Sequence, residues 1–186
     1  MLRRVPVRLL AVLALSTPMQ SVVAAPNQSV VAAPNLCHGD ETVVFSCQTR
    51  KGIASLCRAP EGSGPQLQYR FGVAGHIALI YPQNDAAPRD AFLADTLMYS
   101  GGGGAYIQFT THDALRYTIF TAIGRWGEGG TPRETAGVAV SKADKEVANL
   151  ACVGTTTSEL GAALFTALGL KPSEDGFDIP DAFTGN

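Results

Sequence analysis

The side chains whose chemistry and spacing could be put to use in this sequence of 186 residues are four cysteines, three histidines and a few carboxylates. Cys37, Cys47, Cys57 and Cys152 are separated by 10, 10 and 95 positions. A zinc site shows a close pair such as C-x2-C, and no such pair occurs, so the even count points to two disulfides. His38, His76 and His112 have no catalytic partner at a telling spacing. His112-Asp113 reads as a strand-to-strand turn, where polar residues collect for conformational reasons. His38-Gly39-Asp40-Glu41 carries ligand atom types, but neighbours on an extended chain point to opposite sides, and neither metal nor cofactor is expected. The motifs G-x-S-x-G and H-E-x-x-H are absent. Asp40, Glu41 and Asp113 remain as carboxylates a hydrolase could use, if folding brought two together in a pocket.

Two glycine-rich stretches stand out. Ser100 to Gly104 reads SGGGG. A phosphate-binding loop leads into a helix and ends in Lys-Ser/Thr, whereas a strand, AYIQFTT, follows here, so a turn or bulge is predicted. Gly124 to Gly130 reads GRWGEGG and holds the one tryptophan of the chain, Trp126, beside Arg125 and near Glu128. Trp and Arg dominate binding hot spots because a large rigid ring and a forked cation gain much on desolvation. Arg125, Trp126 and Glu128 are therefore the candidate recognition residues. In the competing structural reading, Trp126 plugs the end of a barrel and Arg125 pairs with Glu128.

The chain opens with Arg3, Arg4 and Arg8, an apolar run from Leu9 to Leu15, and then small residues. This is the pattern of a secretory signal peptide, and the run is well short of the roughly 20 apolar residues that span a bilayer. QSVVAAPN occurs twice in tandem, at Gln20–Asn27 and Gln28–Asn35. Cleavage between Ala24 and Ala25 avoids placing Pro26 directly after the scissile bond. Residues 1–24 are thus the expected signal peptide and 25–36 a Pro/Asn-containing tether. A periplasmic or secreted location is expected, with no membrane insertion after cleavage.

Loss of the three signal arginines leaves 11 basic against 16 acidic residues, a net charge of −5. An acidic domain does not attract phosphate backbones, so a nucleic-acid partner is not expected, whereas a basic protein fits. The remaining length suits one domain with its own core.

From residue 42 to 152 apolar and polar residues alternate, with turn residues between the runs. Strands are predicted at 42–48, 52–58, 66–71, 76–81, 105–111, 115–123, 136–141 and 145–152, with a short one at 96–99. Their short connections require antiparallel neighbours. The fold class is all-β, an antiparallel barrel or sandwich of about eight strands. A hairpin turning at Arg50-Lys51 sets Phe45 opposite Leu56 and Cys47 opposite Ala54. The alternative turn puts Cys47 and Cys57 on one face but diagonally, about 7–8 Å apart and beyond disulfide reach. Cys37 to Cys57 and Cys47 to Cys152 are the favoured bridges.

One helix is predicted near the end. Thr156 and Glu159 form a T-x-x-E capping box, Leu160, Leu164 and Leu168 share a face, and Gly169 with Pro172 stops the run. The disulfide-stapled β domain then covers 37–170. Residues 171–186 form an acidic tail, expected to be loosely ordered, although it also holds Phe177, Ile179 and Phe183.

The segments CHGDETVVFSCQTRKGIASLC, LQYRFGVAGHIALIYP, YTIFTAIGRWG and VANLACVGTTTSELG together resemble a group of exported bacterial proteins without an assigned activity. A looser, fold-level similarity is to small periplasmic lysozyme inhibitors, β-barrels stapled by a disulfide between distant strands. Cys47 and Cys152 would play that part here. The leading expectation is an exported, non-catalytic binding module, an inhibitor of a basic enzyme such as lysozyme. The alternatives are a secreted hydrolase using carboxylates and a structural envelope protein.

Overall fold

A computed structural model describes residues 32–99 and 101–185. The expected signal peptide, the repeat as far as Val31, Ser100 and Asn186 lie outside them. Nine strands carry the fold: β1 Thr42–Thr49, β2 Gly52–Arg58, β3 Gln68–Val73, β4 His76–Tyr81, β5 Leu93–Tyr99, β6 Gly102–Thr110, β7 Arg116–Gly124, β8 Arg133–Lys142 and β9 Lys145–Ser158. They form one sheet in the order β4-β3-β2-β1-β9-β8-β7-β6-β5, antiparallel throughout, curled into a half-barrel. The all-β antiparallel expectation holds. So does the first hairpin, in which Phe45 faces Leu56 and Cys47 faces Ala54.

The join between the two halves of the sheet is a strand that changes partner. The first part of β9 pairs with β8, from Lys145 opposite Lys142 to Ala151 opposite Gly137. From Cys152 onward it pairs with β1, ending with Ser158 opposite Phe45. The ladder shifts register between the Val153 and Thr156 pairs, where Gly154 takes a φ of 74°. A bulge bends a strand and increases its local twist, which is how one strand can serve two sheet halves. Cys152 is the first β9 residue on β1, and its bond to Cys47 holds the transfer point. Cys37 is bonded to Cys57, so both favoured bridges form.

Alternate residues of each strand face the interior. Phe45, Leu56, Tyr69, Ile107, Ile119 and Val138 are fully buried there. The two halves meet through rings: Phe109 of β6 stacks on Tyr81 of β4 at 4.2 Å and on Tyr117 of β7 at 5.0 Å, and leans on Tyr69 of β3 at 5.2 Å. The irregular stretch after β4 contains one short helix, α1 (Pro88–Ala91), and delivers Phe92 edge-on to Tyr81.

Three sequence expectations are corrected. Thr156 and Glu159 do not cap a helix, because Thr156 is inside β9, paired with Cys47. The helix, α2 (Ala162–Leu168), starts later, after Gly161, and has no side-chain cap; strand pairing outcompetes the local capping bond. Its Phe165 is buried in the core and Gly169 ends it in the left-handed conformation, as the sequence indicates.

The last described residues of the presumed tether are packed against the sheet. Ala33 and Leu36 are buried, the Ser46 hydroxyl donates to the Pro34 carbonyl at 2.6 Å, and the Leu36 N–H donates to the Ser55 hydroxyl at 3.0 Å. Outward-facing serines on β1 and β2 give the chain fixed hydrogen-bond partners there, which a free tether lacks.

The acidic tail is likewise docked rather than loose. Lys171 bridges to Leu93 on the edge strand β5, and the chain then crosses onto the outer face of the sheet. Phe177 packs on Tyr106 and Phe120, and Phe183, in α3 (Asp181–Thr184), meets Phe120 edge-on at 4.8 Å. Apolar side chains that β6, β7 and β8 turn outward need cover, and the tail aromatics supply it.

Candidate functional site

Trp126 is positioned by the connection after β7. Its indole lies over Gly124, where any Cβ would collide with the ring, so the glycine is needed to seat it. The loop then turns through a short 3-10 segment, Glu128–Gly130, closed by the Thr131 hydroxyl donating to the Glu128 carbonyl at 3.0 Å. Trp126 is half-buried and joins the outer cluster with Leu97, Phe177 and Ile179. It does not plug the interior of the barrel.

The three recognition residues diverge. The Arg125 side chain lies across Gly101, and both Arg125 and Glu128 are exposed. They are not paired with each other: the ion pairs among the described residues are Arg70–Glu41, Arg116–Asp144 and Arg116–Asp175. Glu128 contributes through its backbone, and Trp126 alone points into a cleft.

That cleft, of about 520 Å³, lies between the end of β5 and the docked tail. Tyr99 faces Trp126 with ring centroids 5.7 Å apart and planes inclined by 50°. The Tyr99 hydroxyl donates to the Gly103 carbonyl at 3.3 Å, which fixes the ring. Asp95, Asp178 and Asp181 line the same cleft, and no Lys, Arg or His does among the described residues. Burial pushes the Tyr99 and Tyr106 hydroxyls above their usual range, and for Tyr106 the Asp95 and Asp175 carboxylates add to the effect while Ser173 opposes it. Met98, on the rim, is 90% exposed. The cleft thus combines aromatic rings, carboxylates and exposed apolar surface.

The carboxylates considered for hydrolysis are not brought together. Asp40 and Asp113 are exposed, Asp113 in the β6–β7 turn. Glu41 is held by Arg70 in two bonds of 2.6 and 2.8 Å and accepts a third from the His38 N–H. Burial alone would raise the Glu41 pKa, but the bonds from Arg70 and His38 outweigh it and leave the carboxyl below its usual range. Cys37, Glu41 and Cys57 cluster within 4.8 Å, yet the two sulfurs are bonded to each other, so the trio has no thiolate to offer a metal. His38, His76 and His112 are all exposed.

A larger opening, of about 840 Å³, lies where β9 leaves β8. Thr121 and Ser158 share a hydrogen bond of 3.2 Å across it, and Glu134 is its one carboxylate among the described residues. A single carboxylate without histidine provides no acid–base pair.

Sequence reasoning found Trp126 and missed Tyr99, Asp95, Asp178 and Asp181. The available signal was the placing of Phe177, Ile179 and Phe183 within an acidic segment, which marks a stretch docked by its apolar side chains with its charges turned out. Compared with protein-family models, curated proteins and solved structures, the chain matches none.

Proposed function

We propose that this chain is an exported, non-catalytic binding module for a basic protein, acting in the periplasm or outside the cell, with a basic enzyme such as lysozyme as the partner it restrains. The observation that carries this reading is the docking of the acidic tail. Phe177 and Phe183 fasten it to the outer face, so the exposed Asp178 and Asp181 are presented on an ordered surface in the cleft that Trp126 lines, while Asp175 is paired with Arg116. Ordered carboxylates cost less to bind than mobile ones, and a patch of one sign steers an oppositely charged partner. The two disulfides suit an oxidising compartment, and among the described residues no helix is long and apolar enough to cross a membrane.

The test is a pull-down with the oxidised mature chain against envelope and secreted fractions, with purified lysozyme included, at low and high salt. Stoichiometric capture of a basic protein that weakens as salt rises is the expected result. Capture of nothing at low salt would overturn the reading.

A further inference from the structure

We propose that the Tyr99–Trp126 cleft receives a single cationic side chain, a lysine ammonium or arginine guanidinium, supplied by the partner. This rests on the binding-module reading and assigns the group that enters the site.

Shape and charge lead to the same ligand. The two inclined rings, 5.7 Å apart, pack as an aromatic pair on the wall of the cleft, and ring faces carry the negative part of the aromatic quadrupole. A cation attracts such a face within about 6 Å, and Trp is the strongest of the aromatic acceptors. Asp95 lines the cleft from β5, and Asp178 and Asp181 from the tail, so two elements bring carboxylates to the cleft that holds the rings. The cation of the chain itself nearest in sequence, Arg125, is laid over Gly101 and is not among the cleft-lining residues. An anionic ligand would meet three carboxylates. A neutral apolar one would leave them without a counter-charge. A lysine or arginine, whose alkyl stem can lie along Met98 while its head reaches the rings, meets every feature of the site.

The arrangement is also preorganised. Gly124 seats the indole, the Gly103 carbonyl holds the Tyr99 hydroxyl, and Phe177 and Ile179 fix the segment that carries Asp178. Binding then requires little ordering of the site.

Trp126 is the one tryptophan in the chain, so its fluorescence reports on the cleft directly. The probes are Nα-acetyl-lysine amide and its uncharged counterpart, Nα-acetyl-norleucine amide, titrated into the oxidised protein. The lysine probe is expected to change the emission saturably with a Kd in the millimolar range, and the norleucine probe to be at least about fivefold weaker. D178N/D181N, at exposed positions, should weaken the lysine probe about fivefold or more while leaving the circular dichroism unchanged. Y99L should do the same through loss of one ring face. An equal response to both probes, no saturable response to lysine, or undiminished binding by both variants overturns the assignment. Capture of a basic protein with no lysine response would leave the binding-module reading standing and this one refuted; a lysine response without any protein partner would do the reverse.

Discussion

The Arg70 guanidinium clasps the Glu41 carboxylate in two parallel bonds, Nη1 to Oε2 at 2.6 Å and Nη2 to Oε1 at 2.8 Å, with the two side chains only 5% and 8% exposed. Arg70 also donates to the Leu36 carbonyl at 3.1 Å and, through Nε, to Gln68 at 2.9 Å. One buried cation on β3 thus fixes both the segment leading into β1 and the chain before Cys37. Such a pair is demanding, because each charge is costly to bury alone.

Replacing Arg70 by Ala should therefore destabilise the protein by about 3–5 kcal/mol, since Glu41 loses its partner while remaining buried. Urea unfolding at neutral pH measures this. E41Q should also destabilise, because Gln keeps one acceptor oxygen for the His38 N–H and one Arg70 bond, while its NH2 opposes the second Arg70 donor and the buried guanidinium loses its counter-charge.

The same pair sets a pH dependence. Glu41 ionises more readily folded than unfolded, so its contribution is complete above its ordinary value of 4.5 and is lost as the pH falls through its lowered folded value. The stability difference between wild type and E41Q should be constant from pH 7 down to about 5 and shrink below about 4.5. A difference that grows on acidification would mean that Glu41 is not held by Arg70.

The two disulfides should be unequal. Cys47–Cys152 closes a separation of 105 residues and Cys37–Cys57 one of 20. Chain-entropy arguments assign them about 4.8 and about 3.3 kcal/mol respectively. C47S/C152S should lower the unfolding midpoint more than C37S/C57S, and it also frees the point where β9 transfers to β1.

Phe183 should be the tail's anchor. It is buried against Phe120, its ring occupies the space that a Cβ on Gly137 would need, and the backbone carbonyls of Phe183 and Thr184 accept from Arg133. F183A should cost about 3–5 kcal/mol for a buried ring and raise amide exchange through residues 173–185 ahead of the core strands. G137A should loosen the tail too, by collision with the Phe183 ring, but also strain the β8–β9 ladder, because the Leu150 backbone carbonyl lies as close. Unchanged exchange in the tail would count against the docking.

Gly124 should control the state of Trp126. A methyl group at this position meets the indole, so G124A should displace the ring, shift its emission to longer wavelength and break its contact with Tyr99. The fluorescence spectrum of the variant, compared with that of the urea-unfolded chain, measures the displacement.

Period-two alternation from residue 42 onward was enough to define an antiparallel all-β chain, because the side chains of a half-buried strand must alternate. The first hairpin, its register and both disulfides were also legible, since turn chemistry and the reach of a sulfur bond leave few solutions. Gly169 ended its helix for a local reason, its ease in the left-handed region. Trp126 could be recognised as the candidate ring.

What only the tertiary structure decided was set by contacts between residues far apart. Thr156 could cap a helix or extend a strand, and pairing with Cys47, 109 positions earlier, decided for the strand. The tail could be free or docked, and outward-facing aromatics on β6 and β7 decided for docking. Arg125 and Trp126 are adjacent in sequence yet separated in use, whereas Asp95, Tyr99, Trp126 and Asp178 come from three distant segments and share one cleft. Local propensity determines which elements are available, but burial of apolar area and pairing of polar groups are satisfied only by the whole molecule, and they determine which side chains meet.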